Sequence, residues 1–182
     1  MNKMTSGIGQ YHTNEPDALK PTKKLTPYLD IEWGEICALV DNPQKIDKAQ
    51  AQWLIPSSLK SRSFKAQEQN GQYYLLWVDL DKFPPSMIKL SEMLESFIGD
   101  TDYEIYSTRS AIEGNQKARI LIPLTEPLNG IEWTLAQQII NDKFESVGVI
   151  PDRANQGFAQ VCYLPNKGVF YQKISKRDGV PS

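Results

Sequence analysis

The sequence predicts an α+β protein whose main part is an antiparallel sheet with both of its helices on one face. Three observations lead to this prediction. The 182 residues, of which 40% are hydrophobic, suffice for one domain with a sizeable core. From residue 72 onward, β-prone runs and segments of helical periodicity follow the order β-α-β-β-α-β. This is the split β-α-β order of ferredoxin-like and RRM-like folds, whose usual strand order, 4-1-3-2, we assume here.

The N-terminal part carries weaker signals. Residues 1–28 contain prolines, lysines and asparagines with little apolar periodicity, so we expect a flexible arm there. Apolar residues between 31 and 40 predict a short helix that Asn42-Pro43 ends. We therefore divide the chain into the arm and a single domain, 29–182, which comprises an N-terminal unit (29–71), the β-α-β-β-α-β body (72–165) and a C-terminal tail (166–182).

The body can be justified element by element. The first strand is expected over 73–80, and Ser86 is placed to cap a helix with apolar residues at the 3.6-residue period. Strands over 103–108 and 118–124 flank a polar loop and form a long-loop hairpin. The remaining predictions are a helix over Gly130–Ser146 that buries Ile131, Leu135, Ile139 and Ile140, and a last strand over 158–164.

The end of the first strand carries two carboxylates, in the run Trp77-Val78-Asp79-Leu80-Asp81. Because side chains alternate along a strand, Asp79 and Asp81 share a face and lie roughly 6 to 7 Å apart. Two carboxylates at this spacing can hold one or two hard divalent cations together with phosphate oxygens and water. The alternate residues, Tyr74, Leu76, Val78 and Leu80, are apolar and are expected to face the helices.

The assumed strand order brings further polar residues to the same edge of the sheet. The second strand ends at Ser107 and Arg109, and the third begins at Lys117 and Arg119. Arginine binds phosphate with two hydrogen bonds, and hydroxyl groups donate to the phosphate oxygens. Arg119 lies within the sheet, where an unpaired charge would be costly. With Asp152 as a third carboxylate before the last strand, the sequence predicts a combined metal and phosphate site.

These segments, in this order, resemble the archaeo-eukaryotic primase superfamily, and more narrowly the primase-polymerase domains of phage and plasmid replication proteins. The resemblance covers 72–165 and depends on the order and spacing of its motifs. The motifs that carry it are Trp77-Val78-Asp79-Leu80-Asp81, Tyr106-Ser107-Thr108-Arg109-Ser110, Arg119-Ile120-Leu121-Ile122-Pro123-Leu124, Asp152 and Cys162-Tyr163-Leu164-Pro165.

The resemblance implies a fold and an activity. The fold is a palm of the β-α-β-β-α-β kind with an N-terminal αβ extension on its open face, which would cover Tyr73, Leu75 and Trp77. The activity is that of a DNA primase or polymerase, a nucleotidyltransferase whose partners are a single-stranded DNA template, nucleoside triphosphates and a helicase domain or subunit. The implied site comprises Asp79, Asp81 and Asp152 as catalytic ligands of Mg²⁺ or Mn²⁺, and Ser107, Arg109, Lys117 and Arg119 as phosphate-binding residues.

A second basic segment precedes the body. The run from Ser57 to Lys65 is rich in hydroxyl groups and carries one aromatic residue, Phe64. Such a segment can follow a nucleic-acid backbone, so Lys60, Arg62 and Lys65 are predicted DNA-binding residues.

One departure from the family pattern keeps an alternative open. Many relatives carry a histidine in the middle motif where this chain has Ala111. The alternative is therefore a catalytically impaired primase-like module that binds DNA in replication initiation. An RRM-type RNA binder is disfavoured because the third strand carries no aromatic ring. A nucleotide cyclase is disfavoured because the glycine-acidic hairpin between strands two and three is missing.

Composition excludes several other classes. The net charge of −2 does not suit a protein that coats nucleic acid with its whole surface. Two distant cysteines and a single histidine, His12, argue against a disulfide framework, a structural zinc site and Ser-His or Cys-His catalysis. No apolar run reaches the roughly 18 residues needed to cross a bilayer, so we expect a cytoplasmic protein with no membrane partner.

Overall fold

The computed structural model describes residues 2–9 and 27–178, and the backbone of 180 and 181. Two short 3₁₀ turns, Lys48–Gln50 and Arg153–Gln156, accompany the regular elements. In chain order these elements are β1 (Met4–Ile8), β2 (Leu29–Ile31), α1 (Trp33–Asp41), β3 (Gln52–Ile55), α2 (Phe64–Asn70), β4 (Gln72–Leu80), α3 (Met87–Ile98), β5 (Tyr103–Ser107), β6 (Ala118–Asn129), α4 (Gly130–Ser146), β7 (Cys162–Tyr163), β8 (Lys173–Arg177) and β9 (Val180–Pro181).

The strands form two antiparallel sheets. One has the order β2-β1-β3-β7 and the other the order β4-β6-β5-β8-β9. The second sheet contains the predicted neighbours, with β6 between β4 and β5 and antiparallel to both. The chain combines two antiparallel sheets with helices, which confirms the predicted α+β, palm-like fold class.

The first strand corrects the prediction of a flexible arm. Met4–Ile8 pairs with both β2 and β3, so it lies inside the first sheet. Its polar residues are buried with internal partners: Thr5 Oγ1 donates to the Leu59 carbonyl at 3.0 Å and Ser6 Oγ to the Trp53 carbonyl at 2.8 Å. Because these buried residues are polar, the sequence of β1 lacks the alternation of apolar and polar residues that predicts a half-buried strand. The rest of the predicted arm, 10–26, lies outside the described residues.

The first sheet and α1 pack on one face of the second sheet. Tyr73, Leu75 and Trp77 of β4 belong to the same buried cluster as Ile36 of α1 and Leu54 of β3. This covering layer is the N-terminal αβ extension that the resemblance implies. It removes from water three large side chains that lie on the same side of β4 as the carboxylates.

The opposite face of the second sheet carries α3 and α4. Val78 and Leu80 pack there with Leu90 of α3 and Phe144 of α4, as the alternation predicts. Ser86 caps α3 by accepting a hydrogen bond from the Lys89 backbone N–H. Tyr74 departs from the predicted alternation and packs with the other cluster, next to a break in the β4–β6 register between Tyr73 and Leu75.

Helix α4 presents a different face from the predicted one. Ile131, Leu135 and Ile139 are exposed by 56%, 52% and 56%, and of the four predicted residues only Ile140 is buried. The buried face instead carries Trp133, Gln137, Asn141 and Phe144. Two of these four side chains are amides, which indicates that the helix packs against polar backbone as well as apolar side chains.

The polar backbone that α4 meets is the edge of β4, where the sequence predicts a last strand over 158–164. That prediction is wrong: only Cys162–Tyr163 is a strand, and it pairs with β3 of the first sheet. The edge of β4 is closed by side chains, because Gln137 Oε1 accepts from the Trp77 N–H at 2.9 Å and Asn155 Nδ2 donates to the Trp77 carbonyl at 2.7 Å. On the other side of this sheet, β8 pairs with β5, so this part of the predicted tail is a strand.

Candidate functional site

A cleft of about 690 Å³ opens beside the end of β4. Most of the residues that the sequence singles out line it. They come from β4 and the residue after it, the loop between β5 and β6, the start of β6, and the segment that follows α4. These lining residues are Asp79, Asp81, Arg109, Lys117, Arg119 and Asp152.

The three aspartates form one cluster. Each of Asp79, Asp81 and Asp152 offers a carboxylate oxygen, and these oxygens lie within 4.8 Å of one another. Strand alternation places the first two side by side, and the Asp152 backbone N–H donates to the Asp79 carbonyl at 2.8 Å, which brings the third to them. Three convergent carboxylates are the oxygen donors that Mg²⁺ and Mn²⁺ prefer, so these residues fit a divalent cation.

The electrostatics of the cluster agree with a cation site. Burial raises the pKa of the Asp81 carboxyl above its ordinary value, and the charges of Asp79 and Asp152 raise it further, against the opposing effect of Arg119 and Lys117. Like charges held this close are unfavourable unless a cation or proton is shared among them. A divalent ion would relieve the repulsion.

Arg119 lies at the inner wall of the cleft. Its Nη1 donates to the Tyr163 carbonyl at 2.7 Å, and its Nη2 lies 3.1 Å from Asp79 Oδ1, with only 11% of the arginine side chain exposed. Burial is the largest single effect and acts to lower the pKa of Arg119, but the charge of Asp79 together with the contributions of Tyr106 and Cys162 outweighs it, and the net pKa shift is upward. The guanidinium is therefore a fixed positive charge directly beside the carboxylates.

Several residues that line the cleft also carry a buried polar atom without a hydrogen-bond partner. Within the described ranges, four buried side-chain polar atoms have no hydrogen-bond partner, and three of them belong to residues that line the cleft: Trp77 Nε1, Thr108 Oγ1 and Arg119 Nε. A buried donor without a partner costs free energy, so such groups are rare in native proteins.

Two further basic residues lie nearer the solvent. Arg109 pairs with Asp47 at 3.3 Å while 40% of its side chain is exposed, and Lys117 is half-buried. An exposed pair of this kind contributes little free energy, so Arg109 can exchange Asp47 for a ligand at small cost.

Ser107 does not join the site, which corrects the prediction. In the β5–β6 register Ser107 is opposite Ala118, whereas Arg119 is opposite Tyr106. Directly opposed residues share a face, so Ser107 faces away from Arg119. Its side chain is buried, donates to the Gln172 carbonyl and accepts from the Gln172 N–H. Thr108 and Ser110 supply hydroxyl groups to the cleft in its place.

The predicted DNA-binding residues lie elsewhere. Lys60 forms an ion pair with Asp30, Arg62 lies over the Trp53 ring at 5.4 Å, and Lys65 is exposed on α2. None of these three basic residues lines the cleft. Their role in DNA binding stays a prediction.

Ala111, at the position where the resemblance implies a histidine, is completely buried and does not line the cleft. Its backbone N–H donates to the Thr108 carbonyl at 3.1 Å, in the turn that leads out of β5. The cleft is therefore built without a contribution from this position.

Sequence reasoning missed several lining residues. Lys48 comes from the N-terminal unit and lies over the Tyr163 ring at 4.9 Å, and Asn166 follows β7. The Asn166 side chain accepts a hydrogen bond from the Ile46 N–H and donates one to the Ile46 carbonyl. These bonds join the segment after β7 to the segment that leads to Lys48. These residues reach the cleft only because the two sheets pack together, and no local pattern in the sequence signals that packing.

No family model matches the chain, and no curated protein matches it. Among solved structures, the chain is similar to the polymerase domain of Ligase D from Mycobacterium tuberculosis, in complex with DNA. The sequence identity is 12%, the TM-score is 0.45, and the similarity covers 90% of this chain and 68% of that chain. These comparisons do not assign a function, so the function has to be inferred from the residues of the site.

In the described ranges, no helix is both long and apolar enough to cross a membrane.

Proposed function

We propose that the chain is a metal-dependent nucleotidyltransferase of the primase-polymerase type, which adds nucleotides to a strand on a DNA template. The observation that carries the proposal is the convergence of three carboxylates and four basic side chains on one cleft of about 690 Å³. Phosphoryl transfer is catalysed mainly by positioning and by stabilisation of charge, so it needs a set of groups of this kind and no protein nucleophile.

The carboxylates would hold the metal. Asp79, Asp81 and Asp152 are the ligands for one or two Mg²⁺ or Mn²⁺ ions. When bound, such ions would lower the pKa of an attacking 3′-hydroxyl and neutralise charge on the phosphates. The Arg119 guanidinium, bound to Asp79 and to the Tyr163 carbonyl, keeps the Asp79 carboxylate in one orientation.

The basic side chains would bind the triphosphate. Arg119, Lys117 and Arg109 line the same cleft as the carboxylates, with the Thr108 hydroxyl among them. The 3′-oxygen forms a bond to the α-phosphorus, and the bond from that phosphorus to the bridging oxygen of the β-phosphate breaks. Pyrophosphate leaves with the electron pair, and the hydroxyl proton passes to water. The charge that develops on the phosphates lies among these basic groups.

The biological setting belongs to the same proposal. The order and spacing of the motifs between 72 and 165 support a replication protein of a phage or plasmid, which acts in the cytoplasm. Its substrates would be nucleoside triphosphates and single-stranded DNA, and a helicase domain or subunit would open the duplex.

A second candidate function is a primase-like module that binds DNA in replication initiation without catalysis. The observation that favours it is Ala111, which is buried and offers no imidazole to the phosphates. This version retains DNA affinity but takes up no nucleotide.

The two candidates are separated by nucleotide addition to a primed single-stranded DNA template with Mn²⁺ present. The wild type is expected to extend the primer, and the double variant Asp79→Asn, Asp81→Asn is expected to be inactive because it loses two charged metal ligands. Glu126→Gln removes an exposed carboxylate outside the cleft and serves as the matched control. Equal inactivity of the wild type and the double variant would contradict the enzyme and favour the binding module.

A further inference from the structure

A second, smaller cavity of about 330 Å³ adjoins the carboxylate cluster. Asp81 and Asp152 line both cavities, so they form the boundary between them. The other residues that line the small cavity are Lys82, Ile150, Pro151 and Arg153.

The two cavities differ in their charged groups. The large cleft has four basic residues, Lys48, Arg109, Lys117 and Arg119, whereas the small cavity has two. Arg153 is bound to Asp142 at 2.5 Å and to Glu145 at 2.9 Å, so its charge is already satisfied. Lys82 is exposed and, as far as the chain is described, forms no ion pair. The small cavity therefore offers one available positive charge beside the carboxylates.

Phe83, the next residue, is presented to the solvent in an unusual conformation. Its side chain is 76% exposed, and its backbone φ of 46° lies in the left-handed region that non-glycine residues seldom adopt. The Phe83 N–H donates to Asn115 Oδ1 at 2.9 Å, and Asn115 Nδ2 donates to the Asp81 carbonyl at 3.2 Å. The same amide thus fixes the backbone of both the aromatic residue and a carboxylate residue. Strain that the surrounding structure holds in place is typical of functional sites.

The geometry of phosphoryl transfer requires two approaches to the carboxylates. The attacking and leaving oxygens are roughly in line with the transferred phosphorus, so the acceptor hydroxyl arrives from the side opposite the pyrophosphate. In the proposed function the triphosphate lies in the large cleft among the basic side chains. The small cavity meets the carboxylates from outside the large cleft, so it offers the acceptor an approach that the triphosphate does not occupy.

We infer that the small cavity is the acceptor site, which receives the 3′ end of a single-stranded nucleic acid. Lys82 binds a backbone phosphate of this strand, and Phe83 stacks on one of its bases. This inference rests on the proposed function, and it identifies the surface that binds the second substrate. It places strand binding beside the carboxylates rather than on the Lys60–Lys65 segment.

The test is the affinity for a single-stranded DNA oligonucleotide that carries 2-aminopurine at its 3′ end, measured by anisotropy and by quenching of the base fluorescence. Phe83→Ala is expected to weaken binding by about 5- to 100-fold and to abolish the quenching, because stacking on an aromatic ring is lost. Phe83→Tyr keeps an aromatic ring and is expected to retain both the affinity and the fluorescence quenching of the wild type. Lys82→Ala is expected to reduce the slope of log Kd against log salt concentration by the amount that about one phosphate contact contributes.

The competing location for the strand is the other basic segment, where Lys65 is a predicted DNA-binding residue. Phe64 is an aromatic residue exposed by 51%, and Lys65 is an exposed lysine next to it. If the strand binds at the small cavity, Phe64→Ala and Lys65→Ala leave the affinity within about twofold of the wild type; if it binds on the other segment, these two variants lose affinity and Phe83→Ala does not. Where nucleotide addition is measured, Phe83→Ala is expected to raise the KM for the oligonucleotide and to leave the KM for the nucleotide unchanged.

The outcomes distinguish the acceptor site from the proposed nucleotidyltransferase activity, because DNA binding is measured without nucleotide. A wild type that shows this binding pattern and adds no nucleotide contradicts only the proposed catalysis. Equal affinity of the wild type and Phe83→Ala, or a loss of affinity in Phe64→Ala and Lys65→Ala instead, overturns the acceptor site. A wild type that does not bind the oligonucleotide overturns it as well.

Discussion

Gln137 replaces a neighbouring strand at the edge of β4, and this role can be tested through stability. The side chain is fully buried on α4 and makes three hydrogen bonds to backbone groups. Its Oε1 accepts from the Trp77 N–H at 2.9 Å, and its Nε2 donates to the carbonyls of Trp77 at 3.0 Å and Asn155 at 2.7 Å. Gln137→Leu keeps a similar volume and removes all three bonds.

The expected cost follows from the groups left behind. The Trp77 N–H loses its acceptor and the Asn155 carbonyl loses this donor, whereas the Trp77 carbonyl keeps the bond from Asn155 Nδ2 at 2.7 Å. An unsatisfied buried polar group costs about 1–3 kcal/mol, so two of them lower the free energy of unfolding by about 2–6 kcal/mol. The added apolar burial of leucine offsets only part of this loss.

The measurement is urea unfolding of the wild type and the variant, monitored by circular dichroism. Gln138→Leu, at the next residue of α4, is the matched control because Gln138 is exposed, and it is expected to change the free energy of unfolding by less than about 0.5 kcal/mol. A Gln137→Leu variant that unfolds at the same urea concentration as Gln138→Leu would refute the role of Gln137 at the strand edge.

Two further predictions concern pH and the motif position. Hydrogen bonds from Arg177 and Lys173 lower the pKa of Asp41 to about 2, so its contribution to stability is complete above its unfolded pKa of about 3.9 and is lost as pH falls through about 2. The stability difference between the wild type and Asp41→Asn, from urea unfolding, should therefore narrow over this interval; a constant difference would contradict the ion pairs. Ala111→His is expected to lower the free energy of unfolding by about 1–3 kcal/mol through overpacking, without raising nucleotide addition, because Ala111 is buried outside the cleft. A stable variant with higher activity would contradict this expectation.

Local patterns in the sequence were enough to predict the centre of the site. Alternation along β4 places Asp79 and Asp81 on one face and Val78 and Leu80 on the other, and both placements are found. The helix cap at Ser86 is likewise a short-range interaction. Such features depend on residues close in the chain, so they can be predicted without knowledge of the tertiary structure.

The errors arise where a distant segment decides which side chains are buried. Helix α4 buries Gln137 in place of Leu135 because it meets a strand edge whose backbone groups need partners. β1 was missed because buried Thr5 and Ser6 are satisfied by carbonyls of other segments. Ser107 lies outside the cleft because the β5–β6 register pairs it with Ala118, and the position of a strand end in the sequence does not reveal that register.

The convergence of Asp79, Asp81 and Asp152 on one cation is tested most directly by Mn²⁺ binding, followed by electron paramagnetic resonance of the free ion. The wild type is expected to bind Mn²⁺, and Asp152→Asn is expected to raise the Kd by about tenfold or more because a charged ligand is lost. The exposed control Glu126→Gln should bind as the wild type does. A wild type that binds Mn²⁺ no more tightly than the triple variant Asp79→Asn, Asp81→Asn, Asp152→Asn would contradict the metal site and the catalysis proposed from it.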